Sequence, residues 1–206
     1  NRTLYQNNPR RQTASAEHID QLSIETLARI HSSLFTYADD FRFYIVGNVD
    51  LDTLKPLVEK YLGSLPTSNT VDYAVVDDGV RMAEGGVTND FCASMYQPKV
   101  SVNLTYSGSI ENSAKYRVIL DLLTRALDSR YMVSIREEKG GTYGVRVNGS
   151  IMKYPVEQYA LTVSFDTNEQ MADELVEICD AELRKIADDG PLGEDVAKSK
   201  EFLQKL

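Results

Sequence analysis

The chain of 206 residues has room for one substantial domain or two small ones, and a content of 42% hydrophobic and 26% charged residues is that of an ordinary globular protein. A net charge of −9 excludes a general nucleic-acid-binding surface, which needs a basic face. The apolar runs fall far short of the ~20 residues that cross a bilayer, so no membrane span is predicted.

Residues 1–20 are polar, carry Arg2, Arg10 and Arg11 with an Asn7-Asn8-Pro9 turn signal, and read as a tail or linker from a preceding domain. A helix is predicted over Ile24–Phe35 with Ser23 as its N-cap. Phe41-Arg-Phe-Tyr-Ile-Val46, aromatic and β-branched and closed by Gly47, reads as a strand. From Asp50 to Leu62 the apolar residues Leu54, Leu57, Val58, Tyr61 and Leu62 share one helical face. Pro56 fits that helix if Asp52 or Thr53 caps it, because first-turn N–H groups have no partner to lose. Gly63 and Pro66 end the element, and 67–79 is a loop.

Val80 to Met95 is expected to hold two short strands around Glu84-Gly85-Gly86. Val100, Val102, Leu104 and Tyr106 alternate with Ser101, Asn103 and Thr105, which marks a strand with one wet face. A long helix is predicted from Asn112 to Glu138 with Ile119, Leu123, Ala126 and Leu127 on its stripe, stopped by Gly140 or Gly141 in the left-handed conformation. Tyr143, Val145 and Val147, then Tyr159, Leu161, Val163 and Phe165, mark an antiparallel strand pair around a loop containing Pro155. Met171, Leu175, Ile178, Cys179, Leu183 and Ile186 make one stripe on a helix from Glu169 to Asp188. Gly190-Pro191 breaks it, and a last helix starts near Glu194.

Alternation in the strands and single stripes on the helices predict an α+β, two-layer sandwich: a mostly antiparallel sheet with helices packed on one face, over 21–206. Cys92, in an expected strand, and Cys179 are read as two buried thiols, with no need for a disulfide. The chain opens at Asn1 without a charged-then-apolar leader and stops inside a helical pattern at Phe202-Leu203-Gln204-Lys205-Leu206, so both ends read as boundaries within a longer protein.

The candidate site is Arg136-Glu-Glu-Lys-Gly140-Gly141-Thr-Tyr143-Gly144-Val145, which joins helix to strand. Arg136 has two readings: a helix C-terminal cation that offsets the macrodipole, or a guanidinium that holds a peptide carbonyl or carboxylate. Tyr143 shares its parity with Val145 and Val147, so it reads either as a core aromatic or as a phenol reaching past the sheet end to donate to an oxyanion. Gly140 and Gly141 form the supporting loop that lets the chain reverse between them. Helix-to-strand is the wrong order for a phosphate cradle. Glu137 and Glu138 are neighbours on a helix and do not face each other, so they read as a solvated face, as does Asp188-Asp189. Asn103-Leu-Thr105 and Asn148-Gly-Ser150 fit the glycosylation pattern but lie in expected strands and are assigned no function.

Two blocks carry a family resemblance. Phe41-Arg-Phe-Tyr-Ile-Val-Gly-Asn-Val-Asp50, continuing through Leu54-Lys-Pro-Leu-Val-Glu-Lys-Tyr-Leu-Gly-Ser-Leu-Pro66, resembles a strand-to-helix hallmark of the pitrilysin/insulinase family of zinc peptidases. Arg136, Glu137, Gly140, Tyr143 and Val145 match that family's later Arg-Glu-x-x-Gly-x-x-Tyr-x-Val pattern. The resemblance implies the family's C-terminal domain, in which Arg136 and Tyr143 reach a peptide substrate held at a zinc site in another domain. It implies no cofactor in this chain, zinc bound through H-x-x-E-H in the N-terminal half of the full-length protein, and that half as partner. The lead-in resembles long bacterial periplasmic-type members, which implies a periplasmic or cell-envelope location. H-x-x-E-H itself is missing: the histidines are His18, in the polar lead-in, and His31. The chain is therefore expected to be inactive by itself. The alternative is a non-catalytic scaffold or peptide-binding domain of a relative that has lost zinc.

Overall fold

A computed structural model describes residues 2–39, 41–68, 74–137, 139–191 and 193–204. Glu138, Lys205, Leu206 and part of the 67–79 loop lie outside the described residues. The chain divides into two compact units, one made of 1–2 and 7–75, the other of 3–6 and 76–206.

The first unit is helical. A short 3₁₀ turn, Pro9–Arg11, and helix α1, Ala16–Asp20, lie in the stretch read as a tail or linker. Helix α2 spans Ile24–Phe35, and Ser23 caps it by accepting the Thr26 N–H at 3.1 Å. Helix α3 spans Leu51–Tyr61, and its cap is Asp50 rather than Asp52 or Thr53: one Asp50 carboxylate oxygen accepts both the N–H and the hydroxyl of Thr53, at 2.9 and 2.6 Å. That start puts Pro56 past the first turn, inside the helix, where it removes one i→i−4 hydrogen bond. Phe41–Val46 forms no strand. Its residues are exposed, and Phe41 packs edge-on against Phe35 and Phe43, but within this unit no ladder partner is present among the described residues. A β-prone sequence becomes a strand only when another strand satisfies its backbone.

The second unit is built on a three-stranded antiparallel sheet in the order β1-β3-β2: β1 is Val100–Ser109, β2 is Val145–Met152 and β3 is Gln158–Thr167. The hairpin of β2 and β3 around Pro155 follows the sequence reading. The stretch Val80–Met95 does not form the two expected strands; Val80 and Met82 are buried, but among the described residues its backbone makes one bond to another backbone group, from the Ala83 N–H to the Leu4 carbonyl at 2.7 Å. One bond does not make a ladder.

Strand parity sorts the sheet into two faces. Val102, Leu104 and Tyr106 of β1 lie opposite Phe165, Val163 and Leu161 of β3, which in turn face Val145, Val147 and Gly149 of β2. Helices α4, Ala114–Tyr131, and α5, Ala172–Asp189, cover this face and close the core around Leu127, Tyr131, Ile135, Val163, Leu175 and Cys179. The other face carries Ser101, Asn103 and Thr105, then Ser164 and Asp166, then Arg146 and Asn148, exposed or half-buried. This is the two-layer α+β sandwich, with an antiparallel sheet and helices on one face.

On the stripe of α4 Leu123, Ala126 and Leu127 pack inward as expected, but at its start Leu120 takes the place expected of Ile119. Leu120, Thr124, Leu127 and Tyr131 face the core, while Ile119 is half exposed. The reason lies in β2: a Cβ on Gly149 would sit 2.7 Å from Leu120 Cγ and 2.7 Å from Thr124 Cγ2, so α4 rides over the one β2 position that offers no side chain. Tyr131 then reaches α5, where its hydroxyl donates to the Cys179 carbonyl at 2.9 Å. Helix α6, Gly193–Gln204, is tied to α4 by an ion pair from Arg130 to Asp195 at 3.3 Å; Arg130 also bonds Glu182 of α5 at 2.8 Å, and within α5 Lys185 bonds Glu182 at 2.8 Å.

Cys179 is buried as expected, but Cys92 is exposed, because the strand that was to bury it does not form. Both are free thiols. Burial, reinforced by the Asp180 carboxylate, pushes the Cys179 thiol up to about 12. A thiol-labelling reagent added to the native protein should therefore react rapidly with one equivalent at Cys92, with the second thiol appearing only in denaturant; two fast thiols would contradict the fold. Substituting Gly149→Val should lower the urea midpoint by an amount equal to about 1–3 kcal/mol through overpacking against α4, with little change in the denaturant slope. Burial raises the Glu182 carboxyl, but the hydrogen bonds from Lys185 and Arg130 outweigh it and hold the group below its ordinary 4.5. Its contribution is thus complete above that value and is lost as pH falls through the lower folded value. Arg130→Gln should destabilise the domain by between ~1 kcal/mol, as for exposed pairs, and ~3 kcal/mol, as for buried ones, and should flatten the acid limb of the melting temperature measured from pH 6 to pH 3.

Candidate functional site

The end of α4 widens into a π-helical turn, Met132–Glu137, a feature that often marks functional sites because it redirects side chains without ending the helix. Within it Ile135 is fully buried and Arg136 is exposed. Gly140 stops the helix at φ +62°, its N–H donating to the Arg136 carbonyl at 3.0 Å, while the Gly141 N–H donates to the Ile135 carbonyl at 3.3 Å. Of the two glycines left open by the sequence, Gly140 supplies the left-handed turn.

Gly141 does something different. It is buried, a Cβ there would meet Leu175 Cδ1 at 2.8 Å and Met171 Cε at 2.9 Å, and its carbonyl accepts the buried Thr167 hydroxyl at 2.6 Å. The reversal is therefore bolted to both α5 and β3. Thr142 tightens it further, its hydroxyl accepting the Gly144 N–H at 3.3 Å and donating to the Gly144 carbonyl at 3.1 Å. Val145 returns the chain to the core.

Between the core anchors Ile135 and Val145 stand the two sequence-predicted groups. The Arg136 guanidinium makes one contact, to the Met132 sulfur at 3.2 Å, and no carboxylate pairs with it among the described residues. Tyr143 is not a core aromatic: it precedes the β2 ladder and its side chain is fully exposed. Both groups thus sit on one anchored reversal and face solvent. Glu137 is exposed, as expected of a solvated helix face.

Tyr143 borders a hollow of about 550 Å³ on the wet face of the sheet, where Arg146, Ser164, Asn103, Ser101 and Asp166 also line it. Asp166 is already satisfied: Lys99 at 2.8 Å and Ser101 at 2.5 Å hold its carboxyl below the usual carboxylate range, Lys99 contributing most. Sequence reasoning passed over these polar residues, although their parity, out of phase with Val102, Val145 and Phe165, already put them on the wet face.

A zinc site does not fit this chain. His18 Nδ1 accepts the Ser15 N–H at 3.3 Å in a helix cap, His31 lies with its ring 4.9 Å from that of Phe35, and among the described residues no three His, Cys, Asp or Glu come together to hold a metal ion. No described helix is long and apolar enough to cross a membrane.

Comparison with known proteins bears on this geometry. The periplasmic protease PqqL from Escherichia coli has a similar structure, with a TM-score of 0.75 and 23% identity over 94% of this chain and 21% of that one. A peptidase M16 inactive domain from Pseudomonas fluorescens superposes with a TM-score of 0.73 at 17% identity, covering 99% of this chain and 48% of that one. The ferredoxin protease FusC, solved in complex with Arabidopsis ferredoxin, gives 0.65 at 16% identity over 98% and 22%. In sequence, a zinc protease PQQL-like protein of Arabidopsis thaliana is 23% identical over 186 residues, which are 84% of this chain and 20% of that protein. The chain thus spans about a fifth of the length of the curated relative it matches. The family model for the peptidase M16 inactive domain matches residues 21–203, and the chain belongs to that family.

Proposed function

We propose that this chain is the substrate-contacting C-terminal domain of a zinc metalloendopeptidase, with residues 1–20 linking it to the preceding domain. Arg136 and Tyr143 contact a peptide whose cleavage is carried out by a zinc-bearing N-terminal half of the same polypeptide. The observation that carries this reading is the placement of Tyr143. A large aromatic held fully in solvent, two residues from a core valine and on a loop bolted down by Thr167 and the packing of Gly141, has no folding role there. Its hydroxyl is free to donate to a carbonyl oxygen that gains charge as the carbon becomes tetrahedral. Arg136, free of any carboxylate among the described residues, offers a planar fork to a neighbouring carbonyl or to a carboxylate of the peptide. Gly140 and Gly141 set the reversal that presents both groups. The likeness to proteins described as proteases, one of them periplasmic, supports a peptide substrate and a periplasmic or cell-envelope location for the longer protein.

The division of labour has a direct test in the full-length protein. Tyr143→Phe should lower kcat roughly 10²–10³-fold, the loss expected for one oxyanion donor, with zinc content by metal analysis unchanged. Arg136→Gln should chiefly raise KM. Full turnover by the Tyr143→Phe variant would exclude the role, and a full-length protein that binds peptide but neither holds zinc nor cleaves would favour a scaffold.

A further inference from the structure

We propose that the wet-face hollow beside Tyr143 is a subsite for an acidic side chain of the peptide, with Arg146 as its specificity-determining residue; this rests on the peptide-contacting role assigned to Tyr143. The register places Arg146 of β2 opposite Ser164 of β3, and Ser164 opposite Asn103 of β1. A guanidinium, a hydroxyl and a carboxamide therefore stand in one row across three strands, at spacings of ~4.8 Å. All three line the hollow. The neighbouring side chains are small or polar and leave the row open.

The charge balance selects the ligand. Two ionic groups line the hollow, Arg146 and Asp166. Asp166 is paired with Lys99 and also accepts from Ser101, whereas Arg146 forms no ion pair or side-chain hydrogen bond among the described residues. In a chain of net charge −9, this is a locally unneutralised cation next to two neutral donors. A carboxylate can take a fork from Arg146 and single bonds from Ser164 and Asn103, whereas an ammonium would meet Arg146 as a like charge.

The reach also matches. Tyr143 and Arg146 are three residues apart, at most ~10 Å of extended chain. An extended peptide rises by about the same amount per residue, so an acidic residue within about three positions of the carbonyl bound by Tyr143 would fall in the hollow.

The test uses the full-length protein and peptides differing only by Glu or Gln at each of the three positions on either side of the cleaved bond. The unmodified protein should favour Glu over Gln by about tenfold in kcat/KM at one of those positions, the effect of one charge-assisted contact. Arg146→Gln should bring that ratio to about one, Arg146→Lys should keep part of it, and Arg146→Glu should favour Lys at the same position. Tyr143→Phe should slow both peptides alike and leave the ratio unchanged. Without turnover, anisotropy titration of the same labelled peptide pairs reads the ratio from binding. A Glu/Gln ratio that Arg146→Gln does not alter, or no preference at any position, overturns the subsite while leaving the Tyr143 test untouched. Unaltered turnover by Tyr143→Phe together with an Arg146-dependent ratio would instead remove the oxyanion role alone.

Discussion

A single buried hydrogen bond sets the terms for the second unit. Thr167, at the end of β3, donates to the Gly141 carbonyl at 2.6 Å, and with Leu175 and Met171 crowding the place of a Gly141 side chain it fixes where α4 turns into β2. A helix terminus leaves carbonyls without partners, and a buried one must satisfy them. Gly140 and Gly141 do so by donating back to Arg136 and Ile135, which leaves the Gly141 carbonyl for Thr167. Once that junction is tied, the residues between Gly141 and Val145 have no freedom to sink into the core, and Tyr143 stays in solvent.

The sheet separates duties by parity. Its inner face, with α4 and α5, carries nearly all the burial of the unit, and the polar side chains there are satisfied: the Tyr131 hydroxyl by the Cys179 carbonyl, the Tyr106 hydroxyl by Asp180. Its outer face carries hydroxyls, amides and a few charges, some of them bonded across the strands, as Lys99 and Ser101 are to Asp166. Because side chains alternate strictly along a strand, a slip of one residue in register would exchange the two sets, and the long ladders of β3 with both neighbours oppose it.

The helical layer is fastened by different means at its two ends. Near the sheet it is steric fit, with α4 lying on Gly149. Further out it is ionic, with Arg130 reaching both Glu182 and Asp195 from α4. The outer pairs are partly buried, so part of their attraction is offset by lost hydration.

Much of this was legible in the sequence. Ser23 and the Ile24–Phe35 helix, the strands at Val100, Val145 and Tyr159, and the Met171–Ile186 stripe follow from spacing and cap chemistry, because period and capping are local properties. The exposed position of Arg136 and the turn at Gly140 were within reach for the same reason. Phe41–Val46, Val80–Met95 and the burial of Cys92 were not, since strandness is a relation between two segments and no segment contains its partner. Nor did periodicity choose between Ile119 and Leu120, which the absent side chain of Gly149 decides, or between core and solvent for Tyr143. Local sequence determined which residues turn, cap and alternate; the packing of distant segments, through Thr167, Leu175 and Gly149, decided which of those residues face water.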